Sequence, residues 1–123
     1  MNMIDFGKFQ TANVKFTYTL HKAQEMAKSD ANILILGEAG SGRRLMAEFL
    51  HENSDRAFNS LTRYSSEQKL NSAIAVLVEN IQYLNAEEQN ELLNKIHSSS
   101  GKIRWFATGT LNVLDFLSAR RDR

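Results

Sequence analysis

Cysteine is absent from the 123 residues, and so is proline. Without cysteine the chain can form neither a disulfide-held secreted scaffold nor a thiolate metal site, and nothing points to an oxidising compartment. No run of 18 apolar residues is present, so no membrane span is expected. The opening MNMIDFGKFQ lacks the basic-then-apolar order of a secretory leader, which leads us to expect a cytoplasmic protein. An excess of charge of one sign is missing too: 15 basic and 14 acidic residues give a formal net charge of +1. That balance is too even for non-specific nucleic-acid binding by bulk charge. What the chain does have is 42% hydrophobic content, ample for the core of one domain of this length.

The most informative stretch runs from Asn32 to Arg44, NILILGEAGSGRR. Ile33 to Leu36 are four consecutive apolar residues with polar or glycine neighbours and predict a short buried strand. The chain then turns through Gly37, Gly40 and Gly42 into Leu45, Met46, Phe49 and Leu50, whose spacing predicts a helix. Strand, glycine loop and helix are the context of a phosphate-binding loop, and the G-x-x-x-x-G spacing from Gly37 to Gly42 is complete. Arg43 then stands where the phosphate-reaching lysine belongs, and Arg44 where a Ser or Thr would meet Mg2+. A loop of this shape offers backbone N–H groups and a helix N-terminus to an anion even without the lysine. A guanidinium has the ammonium's charge and can grip phosphate with two donors, but it is planar and bulkier, so the two are not equivalent occupants of a tight loop. The residues expected to meet nucleotide phosphates are Gly37, Glu38, Ala39, Gly40, Ser41, Gly42, Arg43 and Arg44. The plainer alternative is a glycine-rich turn used only for packing.

The rest of the chain is read around that loop. Residues 1–12 carry Ile4, Phe6 and Phe9 among polar residues and suggest an arm or part of an interface. Between Asn13 and Lys28, Phe16, Leu20, Ala23 and Ala27 recur at helical spacing and predict an amphipathic helix, with His21 solvated or at the core's edge. The helix from Arg43 to about Glu52 carries His51 without an H-E-x-x-H pattern, so no metal role is expected for it. Phe58 to Thr62 suggests a short strand and Tyr64 to Leu70 a turn or short helix. Ala73 to Val78 predicts a fully buried parallel strand with Glu79 at its carboxyl end, the edge where ligands gather in open α/β sheets. Nucleotide hydrolases place there an Asp that orients the Mg2+ shell, often followed by an acid that polarises water. Here the pair is Glu79 and Asn80: Glu79 is the candidate metal residue, and Asn80 cannot take a proton. Asn85 with Glu88 predicts a capping box for a helix whose buried face is Leu92, Leu93 and Ile96, ending near His97. A further strand, Ile103 to Ala107, ends in Thr108, Gly109 and Thr110; the Thr108 hydroxyl could reach a phosphate or its water, or the three residues are an ordinary turn. Val113, Leu114, Phe116 and Leu117 suggest a last apolar face, before a basic tail at 120–123.

Together these landmarks resemble the AAA+ domain of sigma-54-dependent transcriptional activators, the bacterial enhancer-binding proteins. The likeness is carried by Phe16 to Arg56, with Leu50, His51, Ser54 and Arg56 matching the family's I-H-x-x-S-x-R. It continues in VLVENI at 76–81 against L-F-L-D-E-I, and in Ile103 to Gly109 against R-x-I-A-A-T-N. The family's loop ends in G-K-E, so a Ser or Thr is not expected at the Arg44 position, and the departure that stands is Arg43 at the lysine. Glu79 and Asn80 replace the acidic pair, and Gly109 stands at the sensor asparagine. The resemblance implies a three-layer α/β/α P-loop NTPase-like core at 13–123 behind the arm 1–12, with a mostly parallel sheet ordered five-one-four-three-two. The sigma-contacting G-A-F-T-G-A loop is missing between Phe58 and Ala73, and the chain stops before the arginine fingers, the fifth strand and the helical lid. Loss of the fifth strand would leave strand 33–36 at a sheet edge, to be covered by the arm, the final segment or another chain.

The expected function is a non-catalytic regulatory or protein-interaction module in transcriptional or signalling control, two-component systems included. The alternatives are a nucleotide-binding but hydrolysis-poor regulator and an ATPase completed by a partner. No cofactor is required on the first reading; ATP or ADP with Mg2+ is the weak ligand of the second. A homo-oligomer, or a complex with another protein such as a complete AAA+ activator, is expected, and the absence of a helix-turn-helix argues against direct DNA binding.

Overall fold

The computed structural model describes residues 4–5, 10–11, 14–38, 40–65 and 73–110. Within the region read as an arm, β1 (Ile4–Asp5) and β2 (Gln10–Thr11) pair antiparallel, Ile4 opposite Thr11. Helix α1 follows at Val14–Lys28, where the sequence predicts it. Leu20, Ala23 and Ala27 form its buried stripe, because residues three and four apart share a helix face. Strand β3 (Ile33–Leu36), helix α2 (Arg43–Glu52), strand β4 (Leu61–Arg63), strand β5 (Ala75–Val78), a 3-10 turn (Ile81–Tyr83), helix α3 (Ala86–Ser98) and strand β6 (Arg104–Gly109) complete the order.

The main sheet is wholly parallel, in the order β3-β6-β5-β4. That is the one-four-three-two part of the order implied by the family resemblance, and among the described residues β3 lies at the edge, as expected. All four residues of β5 are buried, because the strand feeds both faces of the sheet. Ala75 and Leu77 join Leu20, Ala47, Phe49, Leu50 and Phe106 beneath α1 and α2. Val76 and Val78 join Leu92 and Trp105 on the α3 side. Two helices on one face and one on the other make the three layers.

Several boundaries move for identifiable reasons. Phe58 is fully exposed in a turn closed by the Asn59 N–H on the Arg56 carbonyl (3.0 Å), so strand pairing starts only at Leu61, opposite Ala75. Strand β6 runs two residues beyond Ala107, because Thr108 and Gly109 continue the parallel register with Ile35 and Leu36. The capping box of α3 is formed as read, with Asn85 Oδ1 accepting from the Glu88 N–H at 2.9 Å and Glu88 Oε1 from the Asn85 N–H at 3.0 Å. Leu93, assigned to the buried face of that helix, is 47% exposed, since it lies a further 100° round from Leu92. Most of the 64–70 segment, Ala39 and the apolar face at 113–117 lie outside the described residues.

The amino-terminal edge of the sheet is stitched by two arginines. Arg104, 2% exposed, donates to the carbonyls of Met26 (3.0 Å), Ala27 (2.5 Å) and Ala31 (3.0 Å). It thereby satisfies acceptors that the end of α1 leaves without intrahelical partners. Arg56 donates to the carbonyls of Ile74 (2.7 Å) and Lys102 (2.9 Å) and pairs with Asp30 (2.9 Å). Ser54 bonds the His51 carbonyl at 2.6 Å, and buried His51 meets the Asn59 carbonyl through Nε2 at 2.6 Å. The residues that carry the I-H-x-x-S-x-R likeness are thus the stitches between α2 and the sheet.

Candidate functional site

The site lies at the opposite, carboxyl-terminal edge, where β3, β4, β5 and β6 all end. The loop after β3 is anchored by the Gly37 N–H on the Gly109 carbonyl (3.1 Å), which continues the β3–β6 ladder by one residue. Gly37 packs closely on the loop, and a Cβ there would stand 2.5 Å from Ser41 Oγ and turn that hydroxyl aside. Gly40 and Gly42 adopt φ of 81° and 86°, a left-handed backbone that side chains strain to follow. Gly42 is also the N-cap of α2 and has no side chain to offer, so the N–H groups of the first helical turn receive no side-chain cap. A Cβ on either Gly40 or Gly42 would meet no atom within 4 Å, so the loop has open space at both positions.

Arg43 turns toward the end of β5. Its Nη2 donates to Asn80 Oδ1 at 3.2 Å, while its Nη1 is buried with no hydrogen-bond partner among the described residues. Arg44 grips Glu79 with a two-pronged contact, Nε to Oε1 and Nη2 to Oε2, the latter 3.2 Å. Arg63, the last residue of β4, reaches the same Oε2 through its Nη2. Glu79 is only 18% exposed, whereas the side chains of Arg44 and Arg63 are 54% and 64% exposed. Burial alone would raise the Glu79 pKa; the hydrogen bonds and charges of Arg44 and Arg63 outweigh it and hold the carboxyl below its usual range. The same contacts raise Arg44.

Asn80 sits at φ 57°, in the left-handed region that asparagine tolerates better than most residues. Its N–H donates to the Thr108 hydroxyl at 3.0 Å, so one hydrogen bond fixes both the turn after β5 and the side chain expected to meet phosphate. The structure therefore gathers Gly37, Glu38, Gly40, Ser41, Gly42, Arg43, Arg44, Glu79 and Thr108 at one edge. Sequence reasoning missed Arg63. The available signal was its position at the end of a strand next to β5, which puts it on the same edge as Glu79.

The residues fit a phosphate better than they fit a divalent cation. Uncapped N–H groups, open space at Gly40 and Gly42, and a buried unpartnered Arg43 Nη1 all suit an anion. Mg2+ prefers a near-octahedral oxygen shell, and both oxygens of Glu79 are already taken by guanidinium groups. The neighbouring positions offer Asn80 and Arg44 instead of a carboxylate and a hydroxyl. Among the described residues no group of three His, Asp or Glu could hold a metal ion.

A parallel sheet with a glycine loop between a strand and a helix N-terminus marks the P-loop nucleoside triphosphatase class of fold. Comparisons with known proteins make this more specific. The profile of the sigma-54 interaction domain family matches residues 12–119, and the chain belongs to that family. A Geobacillus stearothermophilus protein named limonene hydroxylase is 47% identical over 51 residues, 42% of this chain and 9% of its own. The anaerobic nitric oxide reductase transcription regulator NorR of Citrobacter koseri is 53% identical over 36 residues, 29% of this chain and 7% of its own. NtrX from Brucella abortus, solved in complex with ADP, superposes with a TM-score of 0.76 at 13% identity, covering 95% of this chain and 34% of that one. The chain thus spans less than a tenth of either sequence relative and about a third of the solved one. The chain is related to sigma-54 activators of the AAA+ class and corresponds to part of the solved relative.

Proposed function

We propose that this chain is a non-catalytic regulatory or protein-interaction module built on a sigma-54 activator ATPase fold. The observation that carries the reading is the state of the β5 end: Glu79 is committed to Arg44 and Arg63, and Asn80 follows it. Hydrolysis on this fold needs a metal-orienting carboxylate and a group that aligns or deprotonates water. A carboxylate held by two guanidinium groups serves the first poorly, and an amide cannot accept the proton. Gly109, at the sensor position, adds no side chain to contact a terminal phosphate. The partner on this reading is a second copy or a complete AAA+ activator, and the compartment is the cytoplasm, in keeping with the lack of a membrane-crossing helix among the described residues.

A second reading is favoured by the loop itself. The open cradle at Gly40 and Gly42, with Arg43 Nη1 unpartnered beside it, suits the phosphates of ATP or ADP without hydrolysis. Its residues are Gly37 to Arg44 and Thr108, and the ADP of the Brucella NtrX structure is what makes a nucleotide the ligand to try.

Mixing the chain with a complete sigma-54 activator tests the first reading. The expected result is a complex of defined mass in light scattering and a changed ATP turnover of the activator. Turnover by this chain alone would overturn the reading.

A further inference from the structure

We infer that Arg44 and Arg63 take the place of the divalent cation, so that the Gly37–Arg44 loop binds the polyphosphate of a nucleotide free of metal. The inference deepens the nucleotide-binding reading of the same site and rests on it.

In a metal-dependent site, the cation bridges the strand-end carboxylate and the β and γ phosphates, neutralising charge between them. Here two guanidinium groups converge on the one strand-end carboxylate from opposite elements, Arg44 from the first turn of α2 and Arg63 from the end of β4. They bring the two positive charges that Mg2+ would bring, at the same carboxylate. Both arginine side chains are more than half exposed, so their contacts with Glu79 leave each open to a further anion. Arg43 adds a third positive charge with a buried, unpartnered N–H. For Mg2+ to enter, it would have to break both arginine contacts, and it would find Asn80 and Arg44 in place of the oxygen ligands that complete its shell. Chelation by Mg2+ also removes two of ATP's negative charges, and those charges are what this cationic edge attracts. The metal should therefore compete for the ligand rather than assist its binding.

Calorimetric titration of ATP, ADP and inorganic tripolyphosphate into the whole chain, once in EDTA and once in excess Mg2+, tests this. Binding in EDTA should be tighter than in Mg2+ by about tenfold, the scale of one charge-assisted hydrogen bond. Glu79→Gln keeps the shape while releasing the guanidinium groups, and should tighten metal-free binding; Arg44→Gln should weaken it by about tenfold on the same scale. Thermal melts of each variant separate a lost site from a lost fold, and the wild-type comparison needs no variant at all. Tighter binding in Mg2+, or weaker binding by Glu79→Gln, overturns the inference while leaving a nucleotide site in place. No heat at millimolar nucleotide in either buffer overturns it together with the nucleotide reading, and leaves the interaction module standing. Phosphate release in Mg2+ would instead overturn the non-catalytic reading.

Discussion

At the amino-terminal edge of the sheet, Arg56 and Arg104 donate to backbone carbonyls; at the carboxyl-terminal edge, Arg43, Arg44 and Arg63 meet side chains. The difference lies in what each edge would leave unsatisfied. Arg104 is buried against the end of α1 and donates to carbonyl groups that the helix leaves without intrahelical partners, so its removal would take donors from several acceptors at once. Arg44 and Arg63 lie in solvent, where water can replace most of what they provide. The buried Arg104 and half-buried Arg56 at one edge hold the fold, and the exposed Arg44 and Arg63 at the other set the charge of a site. Composition alone could not separate the two groups, because what distinguishes them is burial.

The largest effect should follow from Arg104→Met, which keeps much of the volume but takes the guanidinium donors from the carbonyls of Ala27 and Ala31, while the Met26 carbonyl keeps its bonds from Ser29. At roughly 1–3 kcal/mol for each buried unsatisfied group, a loss of about 2 kcal/mol or more is expected in urea unfolding. A loss much smaller than this would mean that water reaches the end of α1. Arg56→Leu ranks next, at about 1 kcal/mol, since it takes a donor from the Lys102 carbonyl in a more accessible place and breaks the pair with Asp30, while the Ile74 carbonyl keeps the Arg104 N–H. Glu79→Gln should change stability less than either, which is the prediction that sharpens the contrast between the edges.

The smallest effect is in acid. The folded-state pKa of Glu79 is depressed, so its contribution to stability is fully present above the unfolded value of about 4.3 and is lost as the pH falls through the lower folded value. The difference in melting temperature between wild type and Glu79→Gln should accordingly be constant near neutrality and shrink below the ordinary carboxylate range. A difference that grows in acid would mean that Glu79 is not paired in solution.

Much of this molecule is written locally. The capping box at Asn85 and Glu88, the buried strand read at 73–78 and the glycine turn before α2 each depend on residues within a few positions of one another, and each forms, the strand beginning two residues later at Ala75. The strand order followed from family resemblance, since nothing in the residues of a short parallel strand names its neighbours. Phe58 and Leu93 were misjudged because an apolar residue next to an apolar run reads as part of it, while exposure is decided by where the turn closes and how far round the helix the residue falls. The pairing of Glu79 with Arg44 and Arg63 was beyond local reading altogether. The partners lie 35 and 16 residues away, and only the sheet brings them to one carboxylate.

The most direct test of the account is phosphate release from ATP in excess Mg2+ by the purified chain, measured beside Glu79→Gln. The account predicts release indistinguishable from a protein-free control for both proteins. Turnover by the wild-type chain that Glu79→Gln abolishes would show Glu79 orienting a metal rather than paired with arginines, and would contradict it.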